Sequence, residues 1–329
     1  MLNLKKTKQM KSILITLIAS ATYFLAIAQQ PDKALSRVSY SFTHIQDTTQ
    51  KDKPYTENML LVIGKNASVY TSYDKINQGI NRRKQLEEQL KNQASSNNMS
   101  INIDNRGIKP VSQLDYYYFV KENKLLVKER IFNNYLVDET SPKINWKINK
   151  DTASFSGIHC QKATAYFKGR NWIAWFAPEL PFQSGPWKLN GLPGLILVAY
   201  DEKKEVAFQF DGIETVTATA EKPTEEAKII TSPGSLTISA IGPGGSAGSD
   251  NYMGSEIKLP ADAIPTSRKE IEKLKEARAK DPQGFMKAQM AGSTSTVVVT
   301  GYAMSPSGSS AKKVDPVVIN NPIELPEKK

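Results

Sequence analysis

The sequence predicts a mainly β protein: an antiparallel sheet folded into a sandwich or half barrel, with two peripheral helices and long loops rich in glycine and serine. Three observations predict it. Apolar and polar residues alternate with period two over much of the chain, turn-forming residues interrupt the alternation at short and regular intervals, and no helical pattern separates most neighbouring strand-like runs.

The amino terminus reads as an export signal. Lys5, Lys6, Lys8 and Lys11 precede an uncharged run from Ile13 to Ile27, and Ala26-Ile27-Ala28 supplies a small-x-small cleavage pattern. The run is short for a membrane span of ~20 residues and is followed at once by polar sequence, which fits a cleaved signal better than an anchor. Residues 1–28 are therefore expected to leave, with cleavage between Ala28 and Gln29, and residues 29–329 to form a single domain. Losing four lysines from 43 basic residues leaves 39 against 33 acidic ones, a net charge of +6. The basic residues are interleaved with acids, as on an ordinary solvated surface, so no nucleic-acid partner is expected. A single cysteine, Cys160, leaves stability to the core alone, and the chain is long enough to bury a large one.

The elements follow in order. Residues 35–45 place Val38, Tyr40, Phe42 and His44 on one strand face and Arg37, Ser39, Ser41 and Thr43 on the other. Two β-rich runs then flank Gly64-Lys65-Asn66 as a hairpin. A helix is expected over 76–93, with Ile76, Ile80, Leu86 and Leu90 as its apolar stripe and Ser95 to Asn98 as its end. A meander follows, turning at Glu122-Asn123 and Asn133-Asn134, and then strands at INWKI, CQKATAYF and NWIAWFA. LILVAYD and EVAFQFDGI form a hairpin over DEKK, the first strand apolar on both faces and thus deeply buried. Ser267 and Glu270 make a capping box for a second helix carrying Ile271 and Leu274, stopped by Asp281-Pro282. Residues 231–257 and 304–313 are too poor in apolar side chains to offset their ordering entropy and read as long flexible loops.

Gly191-Leu192-Pro193-Gly194-Leu195-Ile196 lies just ahead of the buried strand. Leu192 to Leu195 has the form of a type II turn, with Pro193 fixing φ and Gly194 supplying positive φ, so the run reads as a tight corner delivering a strand into the core. The block from Ile158 to Asp201 containing this corner resembles the signature of the GLPGLI family, exported proteins of Gram-negative bacteria. The Met59–Asp74 hairpin, the helix at 268–285 and the terminal NNPIEL are similar to other parts of that family. The resemblance implies a β-rich domain of the cell envelope, in the periplasm or at the outer surface, and supplies no activity, cofactor or catalytic residue. The segment at 231–257 is longer than the family's usual connection.

Sites of chemistry are sparse. His44 and His159 are the only histidines, too few for a His-rich metal centre; they read as a packed histidine and a strand-edge one. Cys160 follows His159, but neighbours in a strand point to opposite faces, so the pair does not cooperate and Cys160 reads as a small buried apolar group. No GxSxG, HExxH, CxxC, phosphate-loop or dinucleotide motif occurs. Asp201-Glu202 and Asp211/Glu214 sit where turns place solvated acids. No catalytic residue, metal or cofactor is assigned.

The aromatic residues give the one positive lead. Trp172 and Phe176 share a strand face while Trp175 shares the other with Ile173, and Trp187 stands beside the Gly185-Pro186 turn. They are either core or the wall of an apolar cleft, and Trp172, Trp175 and Trp187 are the candidate ligand surface. The run at 294–305, TSTVVVTGYAMS, resembles a segment of outer-membrane uptake receptors and reads either as a strand or as a docking segment. The expectation is a non-enzymatic envelope protein that binds an apolar small ligand or an envelope partner and meets the membrane only through its export signal. The alternatives are a hydrolase or isomerase working through carboxylates, or an interaction partner of an outer-membrane uptake complex.

Overall fold

Among the described residues thirteen strands form one sheet that does not close into a barrel, with the first strand near its middle. A computed structural model describes residues 31–93, 109–217, 252–292 and 319–327. The export signal with Ala28 and Gln29, the run at 294–305, the loop at 304–313 and most of 231–257 lie outside the described residues.

The strands are β1 (Asp32–His44), β2 (Tyr55–Gly64), β3 (Ala67–Ser72), β4 (Leu114–Phe119), β5 (Lys124–Arg130), β6 (Asn134–Thr140), β7 (Lys147–Phe155), β8 (Ile158–Phe167), β9 (Arg170–Ala177), β10 (Leu195–Asp201), β11 (Val206–Thr215), β12 (Glu256–Ile257) and β13 (Ile264–Thr266). Their spatial order is β13-β6-β5-β4-β3-β2-β1-β11-β10-β9-β8-β7, with β12 paired to the start of β1. All pairs are antiparallel except β13 with β6. Two meanders thus meet where β1 pairs β2 on one side and β11 on the other.

Period-two alternation sets which residues share a face. Val38 and Tyr40 of β1, Met59, Leu61 and Ile63 of β2, Tyr70 of β3, Trp172 and Phe176 of β9 and Phe208 of β11 belong to one large core. The opposite parity, with Leu60, Val62, Val69 and Tyr117, faces a second core. Strand β10 is buried at every position but Tyr200, as its unbroken apolar run predicts.

Three helices are described, one more than the sequence predicts: α1 (Tyr73–Gln93), α2 (Arg268–Lys280) and α3 (Pro282–Gly292). Helix α1 opens three residues earlier than its apolar stripe indicates, because the Ser72 hydroxyl accepts the Lys75 N–H and caps it. It lays Ile76 and Ile80 on the second core; the side chains of Leu86 and Leu90 lie outside the described ones. Helix α2 has the expected Ser267 cap, whose hydroxyl accepts the Glu270 N–H, and buries Ile271. Asp281 ends α2, as expected, but Pro282 then occupies the first turn of α3, a position proline tolerates because no N–H is needed there.

Two other expectations are corrected. Strand β7 begins at Lys147, so Ile144 and Trp146 lie ahead of it; the Trp146 indole donates instead to the Asn190 carbonyl. The end of the 231–257 segment is core and sheet, with Tyr252 and Ile257 both buried and β12 paired to β1. Two apolar anchors outweigh the glycine and serine around them.

Candidate functional site

A cavity of about 870 Å³ opens at one end of the half barrel. Its floor comes from strand ends carrying the large core: Phe42 and His44 of β1, Tyr55, Glu57 and Met59 of β2, Tyr70 of β3, Leu114 and Tyr116 of β4 and Phe208 of β11. The loops at 46–54 and 110–112 form part of the rim, and Trp187, Ile319, Pro322 and Ile323 complete the wall. Predominantly apolar and aromatic lining with a few convergent polar groups is the composition of small-molecule sites, and the volume lies within their usual range.

The corner at 185–196 positions Trp187. Leu192, Leu195 and Ile196 are buried in the core, the Ile196 N–H donates to the Ser184 carbonyl, and the Tyr40 hydroxyl donates to the Ile196 carbonyl at 2.7 Å. The turn chemistry differs from a type II turn at Leu192–Leu195. Positive φ falls on Gly191 (+86°), while the Gly194 N–H donates to the Leu192 carbonyl across Pro193, a γ-type turn suited to proline's fixed φ. Gly194 is required for a different reason: a Cβ there would lie 2.2 Å from the Ala177 carbonyl oxygen.

Trp187 itself has φ +56°, in the left-handed region that a bulky residue rarely occupies. The Leu189 N–H donates to the Pro186 carbonyl, closing the turn around it. Its ring lies against Trp172 (5.7 Å between centroids) and Phe167 (5.8 Å), and its buried indole N–H, turned toward the Tyr116 hydroxyl, makes no hydrogen bond of good geometry among the described residues. Strain of about 1–3 kcal/mol held in place by packing is a mark of functional positions. The Tyr70 hydroxyl, on another cavity-lining side chain, is likewise buried without a partner among the described residues.

The three candidate tryptophans therefore separate. Trp187 lines the cavity; Trp172, 1% exposed, stands behind it, stacked on Phe208 and donating its N–H to the Phe167 carbonyl. Trp175 does not line the cavity and is half-buried against Phe155 beneath the Lys162 ammonium.

The strap at 319–327 is the part of the wall that sequence reasoning missed. Arg170 holds it: Nε donates to the Ile323 carbonyl, and one terminal nitrogen donates to the Asn321 side chain and the Pro322 carbonyl, each at 2.7 Å. The other terminal nitrogen pairs with Asp201 at 2.7 Å in a buried salt bridge. Asp201 also accepts the Glu205 and Val206 N–H groups, so it is a buried hairpin cap and not the solvated turn acid that its place in DEKK suggests. Glu202 and Asp211 are exposed as expected, accepting from Asn171 and Ser41.

His44 fastens the strap from the other side, its Nε2 donating to the Asn321 carbonyl at 2.7 Å. Burial, helped by the Arg170 charge, lowers its pKa against the opposing pull of that carbonyl and the nearby acids. His159 is exposed on β8. Cys160 is buried, and burial pushes its thiol up to about 11, away from nucleophilic use.

Glu57 is a further site residue that the sequence reading missed, as it missed Tyr55, Tyr70, Tyr116 and Phe208 of the wall. Glu57 is 3% exposed, takes the Tyr55 hydroxyl at 2.6 Å and the Ser112 N–H at 2.9 Å, and shares the parity of Met59, Leu61 and Ile63. A carboxylate on the apolar parity of YTENMLLVIG was the available signal.

A second polar cluster lies in the other core. Asp115 pairs with Lys75 and Lys128, each at 2.5 Å, and accepts from Thr71 and Tyr252. Burial opposes its ionisation, but the two ammonium groups outweigh this and hold its carboxyl well below the usual range. One carboxylate joins two ammonium groups here, and the cluster reads as a structural pin. Among the described residues no group of histidines, cysteines and acids is placed to hold a metal ion, and no helix is long and apolar enough to cross a membrane.

Comparison with known proteins adds a limited likeness. The profile of a family described as "Protein of unknown function (Porph_ging)" matches residues 166–198, from the end of β8 through β9 and the corner into β10. No curated protein matches the chain. Two solved structures are similar: PNGF-II in one crystal form, at 11% identity and a TM-score of 0.40, covers 56% of this chain and 29% of its own. PNGF-II in a second form, at 9% identity and a TM-score of 0.43, covers 73% of this chain and 32% of its own. The chain thus spans about a third of the length of these solved proteins.

Proposed function

We propose that this is an exported, non-enzymatic binding protein of the cell envelope whose cavity takes an apolar small ligand, and that it is a protein of the GLPGLI type. The observation that carries the reading is the cavity of about 870 Å³ walled by Phe42, Tyr55, Tyr70, Tyr116, Trp187 and Phe208. Such a wall removes apolar ligand surface from water at about 25 cal/mol per Å². The match over residues 166–198 covers the stretch that positions Trp187 and so favours the family assignment. Of the carboxylates that the sequence put forward for an enzyme, Asp201 is locked by Arg170, and Glu202 and Asp211 do not line the cavity.

Native mass spectrometry of the mature chain, expressed with its signal and purified from the periplasm, is the test. A discrete mass excess that disappears on denaturation, and is lost in Trp187→Ala while Trp175→Ala retains it, supports the reading. A bare mass, together with no uptake of added apolar probes by the folded protein, overturns it.

A further inference from the structure

The charges in the cavity narrow the ligand class, on the footing that the cavity is a binding site. In a chain of net charge +10, two acids, Asp47 and Glu57, line the cavity against one lysine, Lys53. Asp47 is occupied at the rim, accepting from Thr49, Gln50 and Asn320. Glu57 lies inside.

Four acids are buried among the described residues: Glu57, Asp115, Glu129 and Asp201. Asp115 has Lys75 and Lys128, Glu129 has Arg268 and Lys275, and Asp201 has Arg170. Among the described residues Glu57 alone of the four has no cation within ion-pair distance; its hydrogen-bond partners are the Tyr55 hydroxyl and the Ser112 N–H, and the Lys75 ammonium, paired with Asp115, acts on it only through space. An ionised carboxylate offers about four acceptor positions, so two donors leave it room for more, and a buried charge is costly unless paired. Around it stand Phe42, Tyr55 and Tyr70, whose ring faces attract cations. The described residues supply the anion and the aromatic wall and leave its direct pairing to the occupant.

We propose that the cavity binds an apolar molecule carrying a primary amine, with the ammonium donating to Glu57 and the apolar body lying between Trp187, Phe208 and Met59. The ammonium meets a carboxylate that cannot be fully hydrated, and the aliphatic or aromatic remainder fills the cavity toward the strap.

The experiment is isothermal titration of the mature chain, residues 29–329, with dodecylamine, dodecanol and dodecanoate below their micelle-forming concentrations. The amine is expected to bind roughly tenfold or more tightly than the alcohol, and the carboxylate most weakly, since a desolvated charge pair discriminates by at least that much. Glu57→Gln should bring the amine down to the level of the alcohol. Equal binding of amine and alcohol, or tightest binding of dodecanoate, overturns the amine proposal and leaves the cavity's binding role standing. No binding of any of the three by folded protein overturns both. Should circular dichroism show that Glu57→Gln does not fold, the ranking of the three probes on the unsubstituted protein decides alone.

Discussion

Replacing Arg170 with alanine should cost the protein about 4 kcal/mol. The side chains of Arg170 and Asp201 are only 2% and 4% exposed, and removing one partner of such a pair leaves a buried charge uncompensated, a loss of about 3–5 kcal/mol. Asp201 keeps the Glu205 and Val206 N–H groups, which places the loss toward the lower end of that range. The substitution also takes a charged donor from the Asn321 side chain and from the Pro322 and Ile323 carbonyls. Each would cost roughly 1–3 kcal/mol if it stayed dry, but the strap borders the cavity mouth and water replaces much of what is lost. The two contributions together give the ~4 kcal/mol stated, which at about 2–4 °C per kcal/mol for a domain of this size lowers Tm by about 8–16 °C. Thermal melts by circular dichroism measure it, and limited proteolysis should show earlier cutting within the strap. Arg170→Lys, which retains the charge but not the planar fork, should fall between the two. A loss below about 1 kcal/mol for the alanine variant, or full retention by lysine, would refute the view that this guanidinium fastens the strap.

Asp115→Asn strands Lys75 and Lys128 in the second core and should cost about 3–5 kcal/mol by urea unfolding; a change within experimental error would mean that water reaches the cluster. Gly194→Ala drives a Cβ into the Ala177 carbonyl and should cost more than about 2 kcal/mol, whereas Gly191→Ala meets no neighbour within 4 Å and bears only the left-handed penalty of about 1–2 kcal/mol. The reverse order of melting temperatures would restore positive φ at Gly194. His44 has a lowered pKa in the folded state, so the unfolded chain binds the proton first, and stability should fall as pH drops below the ordinary histidine value of about 6.5. Melting temperatures from about pH 8 to pH 5 should show this slope, and His44→Gln should flatten it.

Much of the sheet was legible because alternation is a local property. Val38 to His44, the hairpin around Lys65-Asn66, the two meander turns and the buried LILVAYD all follow from a period of two and from turn residues. The capping serine of α2 was legible for the same reason. The strap was not: Asn321 and Ile323 matter because a guanidinium more than 150 residues earlier reaches their oxygens, and no local pattern encodes that reach. Tyr252 was hidden by the glycine and serine around it, although its hydroxyl meets Asp115 and Tyr117. The corner was half legible. Its glycines and proline announced a turn, but Gly194 is needed for its close approach to Ala177, a matter of packing, while the positive φ falls on Gly191. Glu57 could have been found by asking why a carboxylate shares the parity of Met59 and Leu61.

The order in which the cavity can be assembled follows from where its walls lie in the chain. His44 and Asn321, which join the floor to the strap, are separated by 277 positions, and Arg170 meets Ile323 across 153. Closing loops of that length is entropically slow and comes after the local hairpins. The floor needs one such closure, where β1 meets β11, and the strap needs another, so the chamber is complete only when both have formed. On the binding reading proposed above, a ligand present at that moment would be enclosed as the strap docks, and the conditions of folding, as much as the affinity of the finished site, would decide what is held.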